Sequence, residues 1–137
     1  MYCSYEDLRG RLEEATLLAL CDDDGDGAAD AGVVSAAVAG AEAEIHAALG
    51  GRYATPFSPA PELIRSICAA LAVEALFLRR RETSSPEHGA RAEAARGLLR
   101  RLAHGEMILE GAAARALPAS DRREEDKAMR RGTLRNY

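Results

Sequence analysis

Apolar residues recur at steps of three and four through most of the first 110 positions, and glycine, proline or clustered aspartate marks each break. That period matches the turn of an α-helix and predicts a series of amphipathic helices. Ser4 and Asp7 stand three apart, as in a capping box, and Tyr5, Leu8 and Leu12 open an apolar stripe behind them. Leu17, Leu18 and Leu20 continue that stripe, and Gly10 can divide the region into two short helices. Val34, Val38, Ala41, Ile45 and Leu49 line one face of a long helix, which Asp30 can cap and Gly50-Gly51 can end. Pro56, Pro59 and Pro61 forbid a continuous helix next, so RYATPFSPAPELIR reads as an extended connector, with Pro61 suited to the first turn of the helix that follows. No charge occurs from Ser66 to Val73, which marks that helix as the central, most buried one. Arg79, Arg80 and Arg81 close it at the negative end of its dipole. Ser85-Pro86-Glu87 begins another helix, with Ala95, Leu98, Leu99 and Leu102 inward and Arg91, Arg96 and Arg100 outward, and Gly105 ends it. Met107, Ile108 and Leu109 are expected to cover the base of the bundle.

The expected fold is therefore all-α: a small bundle of four to five helices around a central apolar helix, followed by a flexible C-terminal tail. Residues 1–110 form the helical domain. Residues 111–137 have few large apolar side chains and mixed charge, so they cannot offset chain entropy alone and are expected to order only against a partner. Spaced opposite charges would support a short helix over 121–131. Composition agrees with one domain of 137 residues, since 47% of them are apolar but only 4% aromatic, leaving Ala, Leu, Val and Ile to build the core. Cys3, Cys21 and Cys68 form no CxxC pair and are odd in number; with no hydrophobic leader or long apolar run, the chain reads as reduced and intracellular, without a signal peptide or membrane span. Cys68, inside the apolar helix, reads as inert packing.

Charge is unevenly placed. Residues 1–50 hold 11 acidic and 2 basic side chains, a net of −9, whereas residues 111–137 hold 7 basic and 4 acidic, a net of +3. The acidic front half argues against wrapping DNA, which requires neutralised phosphates. Ends of opposite sign could favour head-to-tail contacts between copies, although solvated faces give the same arithmetic.

One stretch carries candidate chemistry. CDDDGDGAAD, from Cys21 to Asp30, sets Asp22, Asp24 and Asp26 at alternate positions before Gly27, as calcium loops do, with Asp30 as a fourth carboxylate. Position 12 of such a loop falls on Val33, where a bidentate glutamate would close the cage. The segment carries two readings: a metal loop for calcium, or an acidic turn whose aspartates favour the start of the next helix. Arg79, Arg80 and Arg81 read either as a solvated helix end or as a docking surface for an acidic neighbour, and Arg52 and Tyr53 in the connector are further candidate contacts. His46, His88 and His104 lie apart with no metal-binding spacing, Glu42 and Glu44 point along different azimuths of one helix, and no nucleotide or nucleophile motif occurs. The chain does not read as an enzyme and implies no cofactor beyond that calcium.

MYCSYEDLRGRL at the start, the acidic loop, the connector with Arg52, Tyr53, Pro56 and Pro61, and the closing LLRRLAHGEMIL follow one another in an order that resembles the Mu-like prophage head-to-tail joining proteins, a phage family long catalogued as a domain of unknown function. The resemblance covers residues 1–110. It implies a structural virion protein made in the bacterial host cytoplasm: a head–tail connector, or adaptor, built as a dodecameric ring of copies of itself. Its other partners would be the portal protein and a tail or head-completion protein, with no membrane and with DNA only as passing cargo. An acidic face repeated around such a ring would keep DNA from adhering to the channel wall. The residues themselves leave two other classes open, a calcium-responsive helical protein-interaction module and a small DNA-packaging regulator, the latter supported only by the basic tail.

Overall fold

The computed structural model describes residues 1–81 and 85–114, and the helix expected over 121–131 lies outside them. Five helices follow in chain order: α1 (Tyr5–Arg9), α2 (Glu14–Cys21), α3 (Ala31–Leu49), α4 (Glu62–Arg79) and α5 (Pro86–Ala103). No strand occurs among the described residues, whose one extended pairing is an isolated antiparallel bridge between Tyr53 and Ala114. The all-α expectation holds, and Gly10 separates α1 from α2.

α4 is the central helix. Ten of its residues are buried, from Ile64 to Phe77, and α3, α5, α1 and α2 all pack against it. A helix apolar nearly all round is stable in water only when neighbours cover it, and the other four enclose its middle from Ile67 to Val73, leaving Arg65, Ser66 and Leu78 exposed toward its ends. The expected α3 stripe is buried at all five positions, with Ala37 beside it. On α5, Leu99, Leu102 and Ala95 point inward as expected, joined by Ala92, while Leu98 is only partly covered. Small alanines let the helices approach closely, so the core is filled by leucine, isoleucine and valine against short side chains.

Several expectations need correction. Asp30 precedes α3, but its side chain makes no cap bond to that helix; it accepts the Asp23 N–H at 2.7 Å instead. Arg96, expected outward, lies between helices: its guanidinium donates to Glu44 of α3 at 2.9 Å and to Glu74 of α4 at 2.7 Å. Of the residues expected to cover the base, Leu109 is buried and Met107 partly so, whereas Ile108 is 81% exposed. α3 is long and apolar enough to cross a membrane by length and composition alone, with a mean hydropathy of 1.2, although no such run was expected. Its valines, isoleucine and leucine supply more of that hydropathy than its alanines, and the stripe Val34, Val38, Ile45 and Leu49 is buried in the bundle.

The proposed boundary at residue 110 also falls inside ordered structure. The Ala54 N–H donates to the Ala113 carbonyl at 3.0 Å, and the buried Tyr53 hydroxyl accepts the Leu109 N–H at 3.1 Å. The chain after α5 thus returns across the connector as far as Ala114. Gly105, at φ +79, makes the turn that allows this.

Candidate functional site

The acidic loop is held by its own side chains. Asp22 accepts N–H bonds from Gly25 at 2.8 Å, Asp26 at 3.2 Å and Gly27 at 2.8 Å, so one carboxylate organises the whole turn. Asp24 accepts the Asp26 N–H and Asp26 accepts the Ala28 N–H, the short-range pattern that makes aspartate a turn residue. Gly25 and Gly27 adopt φ of +76 and +81, which aspartate or alanine would enter only with strain. The Asp30 N–H donates to the Cys21 carbonyl at 2.9 Å and closes the loop at its base.

Asp22, Asp24, Asp26 and Asp30 each offer an oxygen within 4.8 Å of the others. The convergence matches the spacing seen in sequence, but Val33 supplies no closing ligand, and each of these carboxylates also accepts a backbone N–H. Those N–H bonds, that from Gly27 foremost, hold the Asp22 carboxyl below the usual range, and the neighbouring Asp22 carboxylate raises that of Asp24. Turn formation accounts for the arrangement without an ion.

The end of α4 grips this loop. Arg79 pairs with Asp23 and also donates to the Leu20 carbonyl at 3.4 Å; Arg80 donates to the Asp22 carbonyl and to Asp23, each at 2.9 Å. Two of the three candidate docking arginines therefore bind an acidic partner within the same chain. Arg81 sits at φ 56 just past the helix, exposed. Arg52 is exposed with its guanidinium lying against Gly105, and Tyr53 is buried in the connector contact described above. The five candidate contact residues do not gather at one place.

Beside the loop, α1, α2 and the start of α3 leave an open, mostly apolar groove of about 800 Å³. Tyr5, Leu18, Ala29 and Val34 lie along it, Glu14 at its side, and Gly27 and Ala28 bring the acidic loop to its edge. Glu14 is the one carboxylate among the described residues that line it, so the trough is apolar with a single acidic group at its side. A family model described as Bacteriophage Mu, Gp36 matches residues 2–127. The chain belongs to this family. The match supports the resemblance and extends past it, since it runs through the groove-forming N-terminal helices and on into the basic C-terminal region. A Gp36-family chain is a phage protein, and the family places this one among those of Mu-like phages. A search of curated proteins matched none to this chain.

A second polar cluster in this Gp36-family chain had no signal in sequence. The Tyr2 hydroxyl is shared with His46 Nε2 and accepts the Phe57 N–H at 2.9 Å, while the Tyr2 N–H donates to Glu42 at 2.7 Å. These bonds lay the first residues of the chain across α3 and the connector. Burial raises the Tyr2 phenol above its ordinary pKa. His88 instead stacks on Phe77, with ring centroids 5.5 Å apart, and His104 ends α5 in solvent. The three histidines serve three separate places, as their spacing implied.

Proposed function

We propose that this phage protein is a structural subunit of the head–tail junction, a connector between portal and tail that works through its surfaces and performs no bond-making chemistry. The observation that carries the reading is an apolar groove beside the acidic loop at one end of the body, with Ala114, after which the sequence is basic, held near the other. The groove lies at the start of α3; Ala114, the last described residue, is bridged to Tyr53 just beyond the end of α3, about 27 Å away along a 19-residue helix. Residues 115–137 carry 7 basic and 4 acidic side chains, with Leu117, Met129, Leu134 and Tyr137 among them. Such a segment suits the groove of the next copy, and a head-to-tail contact of this kind, repeated, closes a ring. Membership of a Mu-like phage family supports the virion setting.

The test is co-expression with the portal protein of the same phage, followed by size-exclusion chromatography and electron microscopy. The subunit alone is expected to be monomeric and to form rings on the portal. Failure to associate with the portal rejects the connector reading. Rings that persist when Leu18 in the groove is replaced by Glu would retain the connector but reject the groove as its interface.

A further inference from the structure

Cys3 and Cys68 are 65 positions apart in sequence, yet their Sγ atoms lie 3.4 Å from each other. Both thiols are free and buried. Cys68 projects from the middle of α4, the most enclosed helix of the body, and is fully covered. Cys3 sits in the segment before α1 that Tyr2 fastens down, and it forms part of the wall of an open cleft of about 660 Å³ between that segment, Glu42, His46 and the proline connector. One thiol can therefore be reached from solvent by a small movement of the chain terminus, and the other waits directly behind it. Cys21 lies elsewhere, at the end of α2 beside the acidic loop.

We propose that Cys3 and Cys68 are a disulfide-forming site, with Cys3 the attacking thiol and Cys68 the resolving one, which staples the first residues of the chain to the central helix. The oxidant is a low-molecular-weight disulfide. The Cys3 thiolate attacks one of its sulfurs, forming a mixed disulfide and releasing one thiol. Cys68 then gives up its proton to solvent and attacks the Cys3 sulfur, forming the internal bond and expelling the second thiol. Two protein thiols lose two electrons, and one oxidant disulfide becomes two thiols. The contact between the two sulfurs lowers the pKa of Cys3, while the same contact and burial raise that of Cys68, in keeping with this order.

The bond would close a loop spanning α1, α2, α3 and the connector, so it should restrain the unfolded chain strongly. If the subunit leaves the cell in a particle, as the connector reading holds, the site stays reduced during assembly and closes outside the reducing cytoplasm. The site itself does not depend on that reading.

The full-length chain, purified under reducing conditions, is incubated with oxidised glutathione at pH 8 without denaturant, and its intact mass and peptide map are measured. A Cys3–Cys68 linkage with loss of two hydrogens is expected, leaving Cys21 unmodified and raising the melting temperature by roughly 5 °C or more, reversibly with dithiothreitol. The Cys68→Ala variant should instead retain a glutathione adduct on Cys3, and this readout remains if that substitution lowers stability. Absence of reaction in the native protein, linkage through Cys21, or a persistent Cys3 adduct in the unsubstituted chain would overturn the proposal. None of these results bears on portal binding.

Discussion

Asp7 shows how much one side chain can hold. Its carboxylate accepts the Ser4 N–H at 2.8 Å, capping α1, and receives Arg65 of α4 at 3.1 Å. The Ser4 N–H foremost, with Arg65 aiding, keeps its carboxyl below the usual aspartate range. A depressed folded-state pKa means that the stabilisation is complete above the ordinary aspartate value, about 3.9, and disappears as pH falls through the lower folded value. Asp7→Ala is therefore expected to cost about 1 kcal/mol at pH 7. In urea titrations the gap from the unsubstituted protein should narrow steadily as pH is taken from 5 toward 3. A gap that stays constant with pH would mean the residue acts through packing. The Tyr2 hydroxyl has a comparable reach, joining α3 to the connector through His46 and Phe57.

At the scale of elements, Arg96 is the tie among the three long helices. It stands on α5, with Glu44 on α3 and Glu74 on α4, and its guanidinium is 29% exposed. A forked cation satisfied on two sides fixes the rotation of α5, which alanine-rich packing alone specifies weakly. Arg96→Met keeps the aliphatic stem and leaves two carboxylates facing each other, so a loss of about 1–2 kcal/mol is expected after allowing for solvent screening. Arg91→Met, whose partner Glu87 is on the same exposed face, should change stability by less than about 0.5 kcal/mol. Equal effects in chemical denaturation would show that the interhelical geometry adds nothing. The α4 terminus uses its arginines differently: Arg79 and Arg80 spend their charge inside the chain on the acidic loop, and a helix end that resembled a docking patch is instead part of the fold.

For the whole molecule, the return of the chain after α5 sets how far the packed body reaches. The Ala54–Ala113 hydrogen bond and the Tyr53–Ala114 bridge carry the body at least as far as Ala114. A chain ending at Ala114 should melt within a degree or two of the full-length protein while losing assembly on the portal. One ending at Glu110 loses the return across the connector and should melt about 3–5 °C lower. Calorimetric scans of both truncations separate the alternatives, and equal melting of the two would leave the bridge without energetic weight. The family match runs through residue 127, so most of the sequence beyond Ala114 belongs to the region the family shares.

Helices, their limits and their buried faces were readable from residue order because each depends on neighbours three or four positions away: the α3 stripe, the charge-free stretch of α4 and the break at Gly10 needed no distant partner. The loop from Asp22 to Asp30 was legible as a turn for the same reason, since aspartate and glycine act on their own backbone. Contacts that give the surface its character span far longer separations. Cys3 meets Cys68, Tyr2 meets His46, and Asp23 meets Arg79 across 65, 44 and 56 positions. Which side chains come together at that range depends on how the helices rotate and cross as they bury their apolar faces. Many residue orders share one periodicity, but only the packed body selects the facing pairs.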